Sequence, residues 1–269
     1  MNLLLKRDGV VVTENPFTLN GFADLTAEEF QVMYTGATQE EERVELSHSK
    51  RRKHDPKVIV SQTGFQLRVR NQRACGSCWA FSAVATYEKF YYNTHGVQLD
   101  LSQQHLVDCD ENSNGCQGGL SAYGLFFISH SSVALEANYP YMASDTQCNS
   151  EVQTVAPINF EIAKVGFNLE YATKKINEEG QYISVSVYAS GKFRFISTKQ
   201  DFIDASALGE CSKPKDHAIN AVGARDGMLQ LLNSWGTGWG ENGTKFVKPC
   251  SSTKLWSDVS YITTPEHVA

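Results

Sequence analysis

The sequence predicts an α+β fold in which a helical first half packs against a strand-rich second half. As far as Cys148 the apolar residues recur mainly at helical spacing, whereas beyond it they alternate along short runs. The chain has 269 residues, 41% of them hydrophobic, and is therefore long enough to bury a substantial core. Two such halves leave a cleft at their interface, where we expect a binding site.

The first predicted element is a short helix in the run DLTAEEFQVMYTG. Thr26 is a suitable N-cap, Glu29 stands three residues later as its capping-box partner, and Gly36 is a natural stop. Residues 37–57 are polar, with an acidic run followed by a basic one, which is typical of a linker.

The first half contains three further helical patterns. The run SCWAFSAVATYEKFYYNTHG begins with Ser77 as the predicted N-cap and ends at Gly96. Its apolar and aromatic residues fall on most turns, so this helix should be largely buried. The runs LSQQHLVDC and GGLSAYGLFFISH predict two shorter helices.

The second half is predicted to hold one helix, NLEYATKKINEEG, and several strands. The strands are indicated by the alternation in ISVSVYA, MLQLL and KFV. His217 opens the run DHAINAVGA, which suits a strand edge, and Asn233 follows a predicted strand before a loop rich in glycine and tryptophan.

Charge and hydropathy exclude two classes of partner. The net charge of −6 and the pI near 5.7 give no basic surface for phosphate binding, so nucleic acid is not expected. No run approaches the roughly 18 apolar residues that span a bilayer. The start, MNLLLKRDG, is too short in apolar residues for a signal peptide, whereas seven cysteines favour an oxidising compartment. The sequence leaves this conflict open.

Cys75 and Cys78, in NQRACGSCWAFS, admit four roles: metal ligand, redox couple, structural bridge or nucleophile. Zinc is disfavoured because no second cysteine pair stands at metal spacing, and we expect no metal. A redox couple is disfavoured because its first cysteine begins a helix, whereas here the second one does. One bridging cysteine and one nucleophile remain the favoured assignment.

Cys78 begins the predicted helix, where the helix dipole favours a thiolate. Lowering a cysteine pKa from about 8.5 to about 4 takes roughly 6 kcal/mol, of which the dipole supplies about 2 at most. A histidinium is the obvious source of the rest, because it also acts as acid and base. His217 is the candidate among seven histidines, and Asn233 is placed to fix its tautomer.

Five runs in register resemble the papain-like, cathepsin L-like cysteine peptidases. They are QRACGSCWAFS, LVDCDENSNGCQGG, NYPYMASDTQC, KDHAINAVG and NSWGTGWGENG, and the resemblance covers nearly the whole chain. It implies a two-subdomain fold with a helical N-terminal half, a β-barrel-like C-terminal half and the active-site cleft between them. It also implies thiol endopeptidase activity without metal or cofactor, since no histidine-bearing insertion typical of exopeptidases is present.

The resemblance assigns roles to individual residues. Cys78 is the implied nucleophile, His217 its base and acid, and Asn233 the group that orients His217. Gln72 is implied to donate to the oxyanion. Trp235 is implied to shield the histidine–asparagine hydrogen bond from water. The implied substrate-binding residues are Gly118, Gly119, Leu120, Ser121, Ser186, Lys215, Asp216, Ala218 and Trp235.

Further implications concern side-chain preference and bridges. A pocket containing Lys215 and serines is more polar than is usual in the family, so we expect it to tolerate polar or acidic substrate side chains. Arg73 stands where the family usually has glycine. The implied disulfides are Cys75–Cys116, Cys109–Cys148 and Cys211–Cys250.

The N-terminal run NGFADLTAEEF resembles part of the family's inhibitory propeptide, which crosses the cleft in the direction opposite to substrate. Residues 1–53 are therefore predicted to be a partial propeptide with linker, and residues 54–269 the peptidase domain. Its helical subdomain is expected at about 64–160 and its strand-rich subdomain at about 161–269.

The family resemblance also sets the expected partners. They are peptide or protein substrates, the chain's own propeptide as inhibitor, and cystatin-like inhibitors, with no nucleic acid or membrane and a monomeric state. The expected location is the lysosome or vacuole, or outside the cell, although the missing signal also admits an intracellular one. The rival hypothesis is a non-catalytic relative used as a binding or structural protein.

Overall fold

The computed structural model describes residues 20–37, 64–158, 160–197, 201–208, 211–250 and 259–263. The predicted start of the propeptide and most of the predicted linker lie outside these residues. Within them the α+β prediction is confirmed. No helix in this part of the chain is long and apolar enough to cross a bilayer.

Five α-helices are formed in the described residues, four of them in the first half as predicted. Their bounds are α1 Ala27–Tyr34, α2 Cys78–His95, α3 Gln103–Cys109, α4 Ser121–His130 and α5 Leu169–Asn177. Thr26 caps α1 through the predicted capping box: its Oγ1 accepts from Glu29 N at 3.1 Å, and Glu29 Oε2 accepts from Thr26 N at 2.8 Å. The helix ends before Gly36, because Thr35 is already extended.

Helix α2 is largely buried, as predicted. Gly96 ends it in a left-handed conformation (φ 68°), as predicted, and donates its N–H to Tyr92 O at 2.8 Å. Ser77 precedes the helix but makes no capping hydrogen bond. Its hydroxyl instead lies 2.6 Å from the Tyr141 hydroxyl, so the predicted cap is used for a tertiary contact.

Nine strands are present in the described residues. Their bounds are β1 Val133–Ala134, β2 Thr154–Val155, β3 Glu161–Val165, β4 Ile183–Val187, β5 Phe202–Asp204, β6 His217–Arg225, β7 Met228–Leu232, β8 Thr244–Lys248 and β9 Val259–Thr263. Strands β1 and β2 pair with each other, and the other seven form one sheet in the order β3-β9-β4-β6-β7-β8-β5. The described edge strands β3 and β5 do not pair, so the sheet is open rather than a closed barrel.

Two hydrophobic clusters form the core. One packs α2, α3 and α4 together, and the other lies against the strand-rich sheet and includes Phe30 of α1. Ile262 of β9 belongs to the helical cluster, with Ile162 of β3 packed against it, because this end of the sheet extends beside α2. The subdomain boundary at residue 160 stays a prediction.

Polar side chains join α2 to the sheet below the cleft. Ser82 Oγ donates to Ser184 Oγ of β4 at 2.7 Å, and Asn220 Nδ2 of β6 donates to Ser82 O at 3.1 Å and to Thr86 Oγ1 at 3.0 Å. All four residues are buried. Satisfied buried polar networks fix one arrangement of two elements. Here the network holds the start of α2 beside the start of β6.

Candidate active site

Cys78, the first residue of α2, is the chain's one cysteine without a disulfide, and its side chain is fully buried. The backbone N–H of Ala218, the second residue of β6, donates to Cys78 Sγ at 3.4 Å. The sulfur at the start of the helix therefore meets the strand that begins with His217. The other six cysteines form the bonds Cys75–Cys116, Cys109–Cys148 and Cys211–Cys250.

His217 is fully buried and hydrogen-bonded to an asparagine. Its Nε2 lies 2.8 Å from Oδ1 of Asn233, the residue that follows β7. Strands β6 and β7 pair antiparallel, which brings the start of one beside the end of the other. Nδ1 of His217 has no hydrogen-bond partner among the described residues. The Trp235 ring stacks on the imidazole, with centroids 4.4 Å apart, and excludes water from that side.

Burial disfavours the charged forms of Cys78 and His217 in this conformation. Loss of water raises the pKa of the Cys78 thiol to about 12, although the N–H of Ala218 opposes the shift. Loss of water likewise lowers the pKa of His217 to about 4, against the hydrogen bond to Asn233. The ion pair expected from the sequence stays a prediction for the cleft without the segment, because in this structure the Gly36 backbone lies against the sulfur.

Gln72 is buried and is held at both ends of its amide. Its Oε1 accepts from Ser234 Oγ at 2.6 Å, and its Nε2 donates to Cys75 O at 2.8 Å and to Tyr34 O at 3.1 Å. Trp235 Nε1 donates to the same Tyr34 oxygen at 3.2 Å. Two side-chain N–H groups thus converge on one carbonyl oxygen in the cleft.

The segment after α1 is held in the cleft by its backbone. Gly36 N and Ala37 N both donate to Asp216 O at 2.9 Å, and Gly119 N donates to Gly36 O at 2.8 Å. Ala37 and Gly119 form a parallel bridge. Gly118, at φ 122°, has no room for a side chain, since a Cβ there would lie 2.7 Å from Gly36 O. The cleft therefore binds an extended backbone from both walls.

Asp216 contributes its backbone and not its carboxylate to the cleft. The carboxylate accepts from Ala189 N at 2.7 Å, from Ser190 N at 3.2 Å and from the Ser190 hydroxyl. Burial raises the pKa of this carboxyl, against the three hydrogen bonds. The carboxylate oxygens are therefore bonded to the residues that follow β4 and not to the segment in the cleft.

Five of the predicted substrate-binding residues line one pocket beside Ala37. We name it the serine pocket; its described lining residues are Ala37, Gly119, Leu120, Ser121, Ala122, Ser186, Ala218 and Ser260. Lys215 does not line it. Its Nζ donates to Lys213 O at 2.9 Å, and the residue borders a wider cavity of about 530 Å³ on the other side of the segment, together with Asp216. Acidic substrate side chains were expected in this pocket because of the Lys215 charge, and that charge is not in the pocket.

Three further residues contact the site and were not singled out from the sequence. Ser234 orients Gln72, and Ser260 lines the serine pocket. Tyr141 donates its hydroxyl to Gln72 O at 2.8 Å. Arg73 adopts the left-handed φ of 51°, which explains why glycine suits this position, and donates to Tyr141 O at 2.6 Å. The run NYPYMASDTQC contains Tyr141, but nothing local indicates its contact.

Nothing in the described part of the chain clusters His, Cys, Asp and Glu in groups of three or more suited to a metal ion. The buried polar groups at the site are a thiol, an imidazole and two side-chain amides. Thiol, imidazole, amide and converging N–H donors are the chemistry of nucleophilic acyl transfer.

Comparison with known proteins agrees with this chemistry. The model of the papain family cysteine proteases matches residues 58–261. Chymopapain of Carica papaya is 34% identical over 243 residues, which cover 86% of this chain and 67% of chymopapain, so the chain spans about two thirds of the relative's length.

Solved structures give the same result. A cysteine protease of Carica candamarcensis in complex with E-64 is 34% identical, with a TM-score of 0.63 over 74% of this chain and 93% of that one. The recombinant stem bromelain precursor is 29% identical, with a TM-score of 0.69 over 94% of this chain and 85% of that one. The chain belongs to the papain family of cysteine proteases.

Proposed function

We propose that the chain is the zymogen of an endopeptidase that hydrolyses peptide bonds through Cys78, His217 and Asn233. The observation that carries the proposal is the contact of β6 with the sulfur: Ala218 N–H reaches Cys78 Sγ at 3.4 Å, one residue after a buried histidine. His217 is in turn hydrogen-bonded to Asn233. A nucleophile, a base and a group that orients the base are the three parts that acyl transfer needs.

In the proposed reaction His217 takes the proton of Cys78, and the sulfur attacks the carbonyl carbon of the substrate. The oxyanion accepts from Gln72 Nε2 and from the backbone N–H of Cys78. The C–N bond then breaks, the amine leaves with the proton from His217, and a thioester remains. Water, deprotonated by His217, hydrolyses the thioester and returns the thiol.

Asn233 determines which imidazole nitrogen does this work. If Asn233 Oδ1 accepts from Nε2–H, the basic lone pair is on Nδ1, the nitrogen with no partner among the described residues. Nδ1 is then free to exchange a proton with the sulfur. Removing the covering segment admits water and restores the conditions for a thiolate and a histidinium.

The segment ending at Ala37 is the proposed inhibitor. Tyr34 O occupies the two side-chain donors at Gln72 and Trp235, and Ala37 runs parallel to Gly119. This direction is the one expected of a propeptide that crosses the cleft in reverse. A reversed peptide does not present its carbonyl carbon to the sulfur in the orientation that cleavage needs. The likeness to a bromelain precursor supports the assignment.

Proteins or peptides are the proposed substrates, and the chain's own segment the proposed inhibitor. Cystatin-like inhibitors, a monomeric state and a lysosomal, vacuolar or extracellular location stay predictions from the family. The domain boundary at residues 53 and 54 also stays a prediction. The non-catalytic rival is not favoured, because Cys78, His217, Asn233 and Gln72 are all present and in one site.

The test is covalent labelling of the full chain by E-64, followed by mass spectrometry. We expect slow labelling at neutral pH, faster labelling after the segment is released in acid, and one adduct that maps to Cys78. Cys78→Ala is the control and should not be labelled. Absence of any adduct in protein from which the segment has been removed would refute the proposed function.

A further inference from the structure

The serine pocket receives the side chain of whichever residue pairs with Gly119. In the structure that residue is Ala37, whose backbone is fixed by the Gly119 bridge and by Asp216 O, and Ala37 itself lines the pocket. Because the methyl group of alanine cannot form a hydrogen bond, it leaves the Ser121 hydroxyl of the pocket unused. A substrate residue at the same place on the cleft wall meets the same pocket.

Ser121 provides an unused hydroxyl in this pocket. The residue is 7% exposed, and its Oγ is buried with no hydrogen-bond partner in the described part of the chain. It is the first residue of α4 and does not cap the helix, whose N-cap is Leu120. A buried hydroxyl is usually paired in a native protein, because leaving it unpaired is unfavourable. The Ser121 hydroxyl is therefore available to hydrogen-bond a ligand that enters the pocket.

The chemistry of the other lining residues restricts that ligand. Ser186 and Ser260 add two more neutral hydroxyl groups, while Leu120 and Ala218 add carbon. None of the described lining residues carries a charge. A carboxylate in such a place would lose water without gaining a cation, although the N-terminus of α4 would offset part of that loss. A neutral side chain that combines carbon with a hydrogen-bonding end fits best.

We propose that the serine pocket selects threonine, asparagine or glutamine at the substrate position paired with Gly119, which the family resemblance implies is the second residue before the scissile bond. Leu120 and Ala218 contact the carbon atoms of that side chain, and the Ser121 hydroxyl pairs with its polar end. The inference rests on the proposed function, since it concerns the substrate of the same site.

The experiment uses peptide substrates that differ only at this position, with isosteric pairs to isolate the hydrogen bond. The full chain is activated in acid, its active sites are titrated with E-64, and kcat/KM is measured for threonine against valine, asparagine against leucine, and asparagine against aspartate. We expect the first member of each pair to be favoured by about fivefold, the effect of one added hydrogen bond.

Variants connect the preference to the pocket. Ser121→Ala should lower the threonine-to-valine ratio by about threefold without loss of folding, because the hydroxyl it removes has no partner to leave unpaired. Ser129→Ala, on the same helix, is the matched control and should leave the ratio unchanged. Ser186→Ala and Ser260→Ala report whether the other hydroxyls share the contact, and a fall in the ratio with either also supports the pocket.

The outcomes separate the two proposals. Failure of E-64 to titrate any site refutes the proposed function itself. Titratable enzyme that favours valine, leucine or aspartate over its partner refutes the inference alone. A threonine preference that survives all three serine substitutions also refutes it, because the selectivity would then arise outside the serine pocket.

Discussion

Gly36 lies so close to Gly76 that a Cβ added at Gly36 would be 2.0 Å from the Gly76 carbonyl oxygen. Gly76 belongs to the loop just before Cys78, and its own N–H donates to Cys116 O at 2.8 Å. The disulfide Cys75–Cys116 fixes that loop further. The two backbones therefore touch at the centre of the cleft, and the segment is the partner that is free to move.

Gly36→Ala should displace the segment from the cleft. Overpacking of this kind costs about 1–3 kcal/mol, so we expect E-64 to label Cys78 of the unprocessed chain about tenfold faster than in the parent. The measurement is the labelling rate at neutral pH. Gly21→Ala is the matched control, since a Cβ there meets no atom within 4 Å. Equal rates in the two variants would contradict the proposed covering role.

Gln72→Ala should lower kcat of the activated enzyme by a factor of about 10² to 10³ with little change in KM, because an oxyanion donor acts mainly in the transition state. Ser234→Ala should lower kcat by about threefold to tenfold, since it releases the amide oxygen that Ser234 holds at 2.6 Å. Active-site titration corrects for unfolded protein. Gln153→Ala, an exposed position, serves as control. A Gln72 variant with raised KM and normal kcat would count against the oxyanion role.

Asn233→Ala should lower kcat by about tenfold to a hundredfold, because the imidazole loses the group that orients it. The hydrogen bond to Asn233 raises the pKa of His217, so its loss should also move the alkaline limb of the pH–rate profile to lower pH. A merely structural role would not move that limb. Asn93→Ala, at an exposed position of α2, should alter neither quantity.

While the segment ending at Ala37 lies in the cleft, the free energy of unfolding should decrease as the pH falls, because His217 has a lowered pKa in the folded chain. Its pKa is about 4 in the folded chain and 6.5 for an ordinary histidine, so between these pH values the unfolded chain binds more protons. The free energy of unfolding should therefore decrease from pH 6.5 to pH 4, by up to about 3 kcal/mol. Denaturant titrations of Cys78→Ala, which cannot digest itself, measure this decrease.

The control for this prediction is His217→Gln in the Cys78→Ala background. Buried carboxyls such as Asp216, with a raised pKa, act in the opposite direction in both proteins and cancel in the difference. The pH dependence should be weaker without the histidine. Identical slopes with and without His217 would mean that the imidazole is not held neutral.

Local signals predicted the elements that have local causes. The capping box at Thr26 and the glycine at position 96 define helix ends within a few residues of sequence. Strands β3, β5 and β9 were missed because their stability comes from pairing: β9 lies between β3 and β4, far away in the chain. The five-residue run of β3 contains two charged residues and gives no clear alternation.

The site residues likewise fall into those that local motifs indicate and those that depend on contacts distant in the sequence. Cys78, His217 and Asn233 stand in recognisable motifs, whereas Ser234 acts on Gln72 across 162 positions and Tyr141 acts on it across 69. No local pattern reports such contacts. Lys215 was assigned to the serine pocket from the family resemblance, but its Nζ donates to Lys213 O and it is not among the pocket's lining residues.

The bond between Cys75 and Cys116 has a consequence for handling the enzyme. It joins the loop before the nucleophile to the wall that carries Gly118 and Gly119, and it stands three positions from a thiol that must stay reduced. An active preparation must therefore keep Cys78 reduced while the Cys75–Cys116 disulfide stays oxidised. A mild reductant should preserve activity, whereas a strong one should loosen the wall on which the substrate backbone rests.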